Sequence, residues 1–586
     1  MITRLELIFT RLFCCSVLAF PAPAAAAANS CGQSATAITE IQGSTDTSAL
    51  VGQTVTIEGV LTQDSRQAGG FSGFYLQQAN APADSTRSSA LFVYTRHKGG
   101  SSGQRLRVTG KVKEHYGLTE LVSVSDLKVC ATQSLPAPME VSVPWTRTPE
   151  SLENMRVRIN GPLKITDSYQ LTRFGEISLA AKDPLISTEF IAPGTAALRH
   201  ANLASMNTLV LDDGYARRNP PSLNWLPTYS AAQPGSAASS VVTGTQVRGL
   251  TGVLDYRYGA WRLQPDQIPS LKPPPRPDSA PARPTGSNLR VMTLNLNNLF
   301  NGDGRGQGFP TSRGAKTQAQ YQRQLKRLSA GLNQAGADLL ALSELENDGY
   351  GSNSAIAQLA ASLGPHWRFV VPVNSAMQKD AIRNGLLYRA DRVNALGPAQ
   401  YLSGNSSRPA LTQRFALNSG GPSLRLVSVH LKSKSCRNAS GENAQQNDGQ
   451  GCYNAVRVKQ AKAMHQQLGQ LDGSNALAGT LITGDFNSYS KEQPISELAR
   501  AGYASMVAHF HPCTPVRCEH YSYRFKGARG SLDHALASPA LQPRVLSARV
   551  WNINADQPRV ADYRSHSSPQ TWRSSDHNPL ITDIKL

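Results

Sequence analysis

The stretch LITGDFNSYS, residues 481–490, places an acid and an amide directly after an apolar strand. Residues two apart on an extended chain point to the same face, so Asp485 and Asn487 are expected to face one site. Phe486, between them, is expected to turn the opposite way, into the core. Gly484 leaves room for the backbone or a phosphate to approach closely. The stretch therefore predicts a strand that ends at a polar site.

The same order recurs through the C-terminal half of the chain. An apolar strand with a carboxylate, amide or imidazole at its end is read in TLNLNN, LLALSELEN, LVSVHLKSK, TLITGDFNS, SLDHALAS and SSDHNPL. Segments of helical period, AQYQRQLKRLSAGLNQA and NAVRVKQAKAMHQQLGQL, lie between them. Alternating strands and helices predict an α/β domain over residues 289–586. Because strand ends are rigid, their polar side chains are expected to converge on one rim.

The residue types at these strand ends limit the chemistry. Carboxylate and amide oxygens suit Mg²⁺, Mn²⁺ or Ca²⁺ rather than Zn²⁺. His430 and His577 can move protons near neutral pH, and Asp533 is a candidate to orient an imidazole. The oxygen donors are Glu344, Asp485, Asn295, Asn487 and Asp576. A hard cation, a base and basic residues suit hydrolysis at phosphate, whereas no P-loop motif is present.

At these motifs the chain resembles the endonuclease/exonuclease/phosphatase superfamily, whose relatives include pancreatic deoxyribonuclease. The resemblance covers residues 289–586 and is nearest to bacterial extracellular nucleases with an OB-fold region ahead. It implies a four-layer αββα sandwich of two packed sheets with helices outside. It also implies in-line attack of water on a phosphodiester with a divalent cation, Mg²⁺ first and Mn²⁺ or Ca²⁺ as alternatives.

The resemblance also implies which residues lie on the metal side of the site. TLNLNNLF makes Asn295 a phosphate or metal contact, with Asn298 as a weaker candidate. LSELEN supplies Glu344 as the main metal ligand. SSDHNP supplies Asp576 as a metal-side carboxylate.

On the catalytic side, the resemblance makes His430 of VHLKSK and His577 of SSDHNP the two catalytic histidines. Asp533 of LDH is the residue that helps to orient a histidine. GDFNS supplies Asp485 and Asn487, which position the phosphate and the attacking water.

The chain departs from its relatives at two points. Asn578 stands where they often carry Asp after the final Asp-His, and little effect is expected there. The acid that supports the first histidine has no secure counterpart. Asp380 is a loose candidate, so His430 is open to a different orientation.

Basic residues near the rim are candidates to bind a polyanion, and each has the alternative of being a solvated surface charge. The residues are Arg408, Lys432, Lys434, Arg457 and Lys459. Arg457 and Gln460 share one helix face at i, i+3 spacing, which makes the pair a candidate to touch the substrate.

The length of the chain predicts several domains, and its first residues predict export. The chain has 586 residues and a net charge of +19, which favours an acidic partner such as nucleic acid. Residues 1–28 read as a signal peptide, with an apolar run followed by small residues. A secreted or extracellular protein is expected, with the periplasm as the alternative. No transmembrane span and no protein partner is expected, and the chain is predicted to be a monomer.

The cysteines beyond residue 28 predict disulfides, since their number is even in an exported chain. Their spacing suggests the pairs Cys31 with Cys130, Cys436 with Cys452, and Cys513 with Cys518. No CxxC pair or histidine-spaced cluster supports zinc instead.

Short alternating segments make the N-terminal half all-β. An OB-fold-like barrel is predicted over residues 29–130, a second β-rich domain, interpreted as another barrel, over 131–269, and a proline-rich linker over 270–288. OB-folds bind single strands through aromatic and basic residues, which must also fill the core. The barrel's candidates for either role are Phe74, Tyr75, Phe92, Tyr94, Arg96 and Tyr116.

The sequence thus predicts a secreted, metal-dependent, sequence-nonspecific endonuclease acting on DNA, with RNA as a further possible substrate. One alternative keeps the fold and takes sphingomyelin or another small phosphodiester, although no exposed aromatic hairpin for a membrane is expected. The other is a non-catalytic module that binds nucleic acid through its β-domains.

Overall fold

The computed structural model describes residues 30–79, 86–275, 279–302, 308–377, 379–402, 408–471, 476–565 and 571–586. The predicted signal peptide lies outside the described residues. Within these ranges, no helix is both long enough and apolar enough to cross a membrane.

The first strands of the chain close into a small barrel. Its elements are α1 (Ile38–Gln42), β1 (Thr54–Asp64), β2 (Gly73–Gln77), β3 (Ala90–Tyr94), β4 (Gln104–His115) and β5 (Leu118–Thr132). The strand order is β1-β2-β3-β5-β4, and β4 pairs back onto β1. A disulfide joins Cys31 to Cys130, as expected. The assignment of this barrel to the OB-fold stays a prediction.

Three of the aromatic residues that were candidates for binding in the barrel are buried. Phe74, Tyr75 and Phe92 are fully buried, so they cannot stack on a nucleic acid strand. Tyr94 and Tyr116 remain exposed. Side chains alternate along a strand, so Phe74 packs inside the barrel, whereas Tyr75 and Phe92 lie on its outer face and pack with Val253 of the segment that follows.

A nine-stranded sheet follows the barrel. Its elements are β6 (Met139–Val141), β7 (Arg156–Ile159), β8 (Leu163–Asp167), α2 (Leu171–Phe174), β9 (Ile177–Ala180), α3 (Thr195–Met206), β10 (Leu209–Leu211), β11 (Gln246–Arg248), β12 (Thr251–Arg257), β13 (Ala260–Pro265) and β14 (Ser270–Lys272). The order is β14-β11-β8-β9-β10-β13-β12-β7-β6. We call this sheet with α2 and α3 the middle domain.

Two expectations for this region are wrong. The sheet is open rather than a second barrel, because β14 and β6 end it without pairing to each other. Alternation along single strands cannot distinguish the two, since closure depends on the pairing of distant strands. The predicted linker also begins too early, because its first residues, 270–272, pair with β11 as strand β14.

The C-terminal half alternates strands and helices. Its elements are β15 (Leu289–Leu299), α4 (Gln318–Gln334), β16 (Leu339–Glu346), α5 (Ala355–Leu363), β17 (Trp367–Phe369), β18 (Ile382–Arg389), β19 (Val393–Leu402), β20 (Ala410–Leu417), β21 (Ser423–His430), α6 (Asn454–Gly469), β22 (Leu477–Asp485), α7 (Gln493–Arg500), β23 (Ala504–Ser505), α8 (Met506–Phe510), β24 (Tyr523–Phe525), β25 (Ala528–Gly530), β26 (Asp533–Ala537), β27 (Val545–Val550) and β28 (Leu580–Ile584). Two six-stranded sheets result, ordered β17-β18-β16-β15-β28-β27 and β19-β20-β21-β22-β26-β23. Disulfides join Cys436 to Cys452 and Cys513 to Cys518, the expected pairs.

Successive side chains of the central strands enter different cores, which stacks the layers. Val291 and Leu481 pack into the core between the two sheets. Met292, next along β15, packs outward against α4 and α5. Ile482, next along β22, packs outward against α6 and α7. The layers therefore run helices, sheet, sheet, helices, as period-two burial of both strand faces requires.

Candidate active site

Strands of both sheets bring polar side chains to one edge of the stacked layers. The contributors are Asn295 on β15, Glu344 on β16, His430 on β21, Asp485 on β22, Asp533 on β26, and Asp576 and His577 just before β28. In the second sheet His430 pairs with Asp485 and Asp485 pairs with Asp533. Backbone pairing alone thus sets those three residues side by side.

Asp533 and His577 reach this edge from the opposite end of their strands. Asp533 begins β26, and His577 precedes β28, whereas the sequence pattern placed both after a strand. β26 is antiparallel to β22, and β28 is antiparallel to β15. The start of an antiparallel strand lies beside the end of its neighbour. The polar side chains therefore meet at one edge as predicted, but Asp533 and His577 do so from the start of their strands rather than from the end.

Glu344 reaches the site through an irregular piece of sheet. The β15–β16 pairing shifts register between Asn295 and Leu299, and Glu344 has φ of +61°. Asn298 donates two hydrogen bonds to the Glu344 carboxylate, from its backbone N (2.9 Å) and its Nδ2 (2.8 Å). A bulge changes the direction of a side chain at the edge of a sheet. A strained backbone conformation, such as the positive φ of Glu344, persists where neighbouring residues hold it in place.

Asp485 forms the centre of the buried polar contacts. Asn295 Nδ2 donates to Asp485 Oδ2 at 3.1 Å, and His430 Nε2 lies 3.6 Å from the same oxygen. His430 Nε2 also lies 4.0 Å from Glu344 Oε1. Burial raises the pKa of Asp485 to about 7, although the charge of His577 opposes the shift. Near neutral pH this carboxylate can therefore both accept and release a proton.

His577 and Asp533 form a buried pair. His577 Nδ1 lies 2.7 Å from Asp533 Oδ2, and Tyr523 packs beside the imidazole with ring centroids 4.7 Å apart. Burial disfavours the imidazolium, but the Asp533 carboxylate outweighs it and raises the pKa of His577 to about 10. Asp533 thus holds a protonated histidine at the site, as its predicted orienting role requires.

His430, unlike His577, is held in its neutral form. Burial, together with the charge of Arg408, holds the pKa of His430 well below its usual range. Arg408 Nη1 lies 3.2 Å from His430 Nε2, and Arg408 Nε donates to Asp380 Oδ2 at 2.7 Å. Asp380 therefore binds Arg408 and not the histidine, which corrects the loose expectation that it supports His430 directly.

The donor set fits a hard divalent cation. Glu344 and Asp576 are half-buried and line the same cleft, and burial followed by the charge of Asp576 raises the pKa of Glu344. Carboxylates that disfavour each other's charge are the partners a bound cation relieves. Over the described part of the chain, no group of three or more His, Cys, Asp or Glu side chains is arranged to hold a metal ion. Glu344, Asp576 and Asn295 line one cleft, and these oxygen donors are the predicted metal-side residues.

Residues 292–577 match the Endonuclease/Exonuclease/phosphatase family. Residues 148–273 match a domain of unknown function, DUF8508. No curated protein matches the chain. We call residues 292–577 the phosphatase-family domain.

Solved structures of the same superfamily resemble about half of the chain. An endonuclease/exonuclease/phosphatase from Bacteroides vulgatus is 16% identical over 51% of this chain and 98% of its own, with a TM-score of 0.34. A mannosyl-6-phosphatase from Bacteroides thetaiotaomicron is 15% identical over 50% and 99%, with a TM-score of 0.33. An AP endonuclease from Archaeoglobus fulgidus is 12% identical over 51% and 100%, with a TM-score of 0.32.

Within the phosphatase-family domain, the LITGDFNSYS stretch differs from its predicted geometry. Asn487 has φ of +47°, so the chain is not extended there. Its backbone N donates to Asp485 Oδ1 at 2.8 Å, and its Nδ2 donates to the Leu431 carbonyl at 3.1 Å. Asn487 thus tightens the turn that holds Asp485 while still lining the cleft. Phe486 is fully buried, as expected, and a Cβ at Gly484 would overlap the Val429 carbonyl.

Of the predicted substrate-binding residues, Arg408 lines the cleft and Arg457 does not. Arg457 is fully buried and donates to the carbonyls of Cys452 (2.7 Å) and Gln450 (2.9 Å). Its helix face points inward, so the substrate-contact prediction for Arg457 is wrong. An i, i+3 spacing shows that two residues share one face of a helix, but it does not show whether that face is buried or exposed to solvent.

Gln460 and Lys432 are engaged with each other and their neighbours. Gln460 Oε1 accepts a hydrogen bond from Lys432 N at 2.9 Å, and its predicted substrate contact stays a prediction. Lys432 Nζ lies 4.5 Å from the Tyr453 ring centroid, and Lys432 is half-buried outside the cleft. Lys459 Nζ pairs with Glu442 at the surface. These side chains support the loop between β21 and α6.

Sequence reasoning missed two residues that line the site. Arg313 Nη2 lies 3.5 Å from Asp380 Oδ1, and Tyr523 packs on His577. Neither follows an apolar strand in a polar motif, so the strand-end pattern gave no signal for them. The YSYRF run before SLDH was the nearest hint, because it leads directly into Asp533.

The site opens into one long cleft of about 1320 Å³. One side carries the catalytic candidates of the phosphatase-family domain, and the other side is built by the middle domain. Small-ligand sites are commonly about 300–1,000 Å³, so this cleft has room for more than one small ligand.

Proposed function

We propose that the protein is a secreted, metal-dependent phosphodiester hydrolase that cleaves nucleic acid internally and without sequence specificity, with DNA as its main substrate and RNA as a further one. The family match supports a hydrolase of the nuclease and phosphatase group. The described cysteines are all paired in disulfides, which is compatible with an oxidising compartment outside the cell.

One observation carries the substrate class. The cluster of Asp485, His577 and Glu344 lies in a cleft with room for more than one small ligand, and Arg408 lines the cleft beside it. Phosphate contacts supply most of the affinity in nonspecific nucleic acid binding. A chain with a net charge of +19 is suited to that mode.

The residues divide the chemistry between them. Asp485 is placed to take a proton from the attacking water, because its pKa is raised to about 7 by burial. His577, protonated through Asp533, offers its second nitrogen, Nε2, as a donor to a phosphate oxygen. Arg408 adds a fixed positive charge next to neutral His430.

A divalent cation would be held by Glu344 and Asp576, with Asn295 beside them. Superfamily members generally use divalent metal ions, and we propose Mg²⁺, with Mn²⁺ or Ca²⁺ as substitutes. When bound, such an ion neutralises charge that develops on the phosphate and its leaving oxygen.

A second candidate substrate is a phospholipid such as sphingomyelin. The β24–β25 hairpin carries Phe525, which is 53% exposed, beside Lys526. This hairpin is the exposed aromatic feature that the sequence was not expected to contain. An apolar ring beside a cation is compatible with contact to a membrane surface.

Plasmid digestion tests the proposal. Supercoiled circular plasmid, linear plasmid and sphingomyelin vesicles are incubated with the protein and Mg²⁺, Mn²⁺ or Ca²⁺, with a chelator as control. We expect nicking and linearisation of the circle with metal and no cleavage with chelator. His577→Ala should slow cleavage by about 10²–10⁴-fold, the usual contribution of a proton-handling side chain.

His366→Ala is the matched control, since His366 is an exposed histidine that does not line the cleft. Its plasmid cleavage should equal that of the unmodified protein. Undiminished cleavage by His577→Ala would contradict the site assignment. Turnover of vesicles but not plasmid would replace nucleic acid with a lipid substrate.

A further inference from the structure

The middle domain forms the second wall of the catalytic cleft. The 3₁₀ turn Ser187–Glu189 and helix α3 contribute part of this wall. Tyr256 and Trp261, on the β12–β13 hairpin, contribute aromatic rings to the same cleft. Across it stand the catalytic candidates and the β24–β25 hairpin of the phosphatase-family domain.

Buried ion pairs and backbone hydrogen bonds fix this wall in place. Asp183 of the middle domain pairs with Arg524 and Arg529, each at 2.9 Å. The backbone of Ile186 donates to the Arg529 carbonyl, and Arg529 N donates to the Pro184 carbonyl, both at 2.9 Å. The β24–β25 hairpin is thereby joined to the middle domain, so the two walls keep one spacing.

Aromatic rings lie along the cleft away from the catalytic groups. Tyr523 contacts His577, and Phe525, two residues on, is more than half exposed. On the opposite wall, Tyr256 and Trp261 lie with ring centroids 5.0 Å apart and are only half-buried. This exposure separates them from Phe74, Tyr75 and Phe92 of the barrel, whose rings are fully buried.

Positively charged side chains line the same cleft as the aromatic rings. Lys526 Nζ lies 5.7 Å from the Phe525 ring centroid, and Lys526 lines the cleft. Arg313 and Arg408 line it at the catalytic end. Rings for bases combined with cations for phosphates are the two parts of a single-strand binding groove.

We propose that the cleft selects an unpaired nucleic acid strand, whose bases stack on Phe525, Trp261 and Tyr256 while its backbone lies at the catalytic groups. Bases within a duplex are stacked on each other and are not free to stack on these rings. The middle domain is then the specificity element of the enzyme. This inference rests on the proposed nuclease function and narrows its substrate.

The test compares kcat/KM on three substrates in Mg²⁺: a short labelled single-stranded oligonucleotide, the same sequence as a duplex, and bis(4-nitrophenyl) phosphate. The single strand should be the better nucleic acid substrate. Phe525→Ala and Trp261→Ala should each lower kcat/KM on the single strand by roughly 5- to 100-fold, the value of one lost base stack. Hydrolysis of the small diester should stay unchanged, because this substrate has no strand of bases to stack along the cleft.

Two variants control for folding and for general loss of aromatic surface. Trp261→Phe keeps a stacking ring and should recover most of the activity lost in Trp261→Ala. Tyr169→Ala removes a middle-domain ring of similar exposure, 58%, that does not line the cleft, and should leave all three activities unchanged.

The outcomes separate the inference from the function it rests on. Single-strand cleavage that Phe525→Ala and Trp261→Ala leave unaltered overturns the stacking groove while the nuclease stands. Preference for the duplex overturns strand selection. Hydrolysis of the small diester without cleavage of either nucleic acid overturns the proposed nuclease function itself.

Discussion

At the scale of a single residue, Glu344 has a backbone conformation that is unfavourable for its residue type. It occupies a left-handed backbone conformation, φ +61°, that non-glycine residues rarely adopt. Its carboxylate is half-buried, and the charge of Asp576 adds to burial in raising its pKa. Such an arrangement is unfavourable without a cation and is kept in place by Asn298. The residue is therefore a point where function and stability oppose each other.

Glu344→Gln is expected to abolish metal-dependent cleavage without lowering the thermal midpoint of the metal-free protein, because it removes a disfavoured buried charge. Saturating Mg²⁺ should stabilise the unmodified protein by about 2–3 kcal/mol at a hundredfold excess over its Kd, and should not stabilise the variant. Scanning calorimetry with Mg²⁺ or chelator measures both. Glu442→Gln, at an exposed surface carboxylate, should behave like the unmodified protein; equal Mg²⁺ stabilisation of Glu344→Gln would remove this residue from the metal site.

At the scale of an element, strand β22 positions the site by close contact with β21. Gly484 has φ of +138°, and a Cβ added there would overlap the backbone of Val429 on β21. The neighbouring residue in β22 is Asp485, which pairs with His430 in β21. The approach of the two strands therefore depends on one residue without a side chain.

Gly484→Ala is expected to lower the thermal midpoint and to reduce cleavage, since the strands must separate to admit a methyl group. Gly469→Ala, at the end of α6, meets no atom within 4 Å and should be neutral or stabilising by about 0.5–1 kcal/mol. Thermal unfolding followed by circular dichroism compares the two. Equal midpoints for both variants would show that β21 and β22 tolerate a wider spacing.

At the scale of the whole molecule, buried polar contacts join the middle domain to the phosphatase-family domain. Glu189 is 3% exposed and accepts hydrogen bonds from Ser490 Oγ (2.6 Å) and Ser531 N. Thr188 Oγ1 donates to Glu492 Oε1 at 3.0 Å. Burial raises the pKa of Glu189 to about 7, against the hydrogen bond from Ser490. The docking of the two domains thus contains a group that titrates near neutral pH.

A carboxyl group with a raised folded-state pKa stabilises the fold fully below its unfolded pKa, and that contribution is lost as the pH rises through the folded value. In Glu189→Gln the amide oxygen can accept from Ser531 N while the amide nitrogen donates to Ser490 Oγ, so both contacts are retained, one of them reversed, without the charge. Relative to the unmodified protein, it should gain stability between about pH 5 and pH 8, on the order of 3 kcal/mol. Unfolding measured across this range, with exposed Glu140→Gln as control, checks the difference. A difference independent of pH would mean that Glu189 is ionised in the fold at every pH tested.

The sequence alone determined the features that depend on local periodicity. The helical pattern of residues 319–335 predicted α4 at Gln318–Gln334, and the pattern of residues 454–471 predicted α6 at Asn454–Gly469. The strand-end motifs gathered the site residues because each motif carries its own strand and its own polar group. The division of the N-terminal half into domains and the chemical role of each site residue stay predictions.

Only the tertiary structure decided what depends on contacts between distant segments. Periodicity put Arg457 on a helix face, but packing against the turn at Cys452 buried it. Asn487 left the extended conformation to bond the Leu431 carbonyl, a partner on another strand's end. Trp261 reached the cleft because the middle domain docks through Asp183. A pattern along the chain specifies which side of an element is apolar, whereas the neighbour that covers it is set by the packing of the whole molecule.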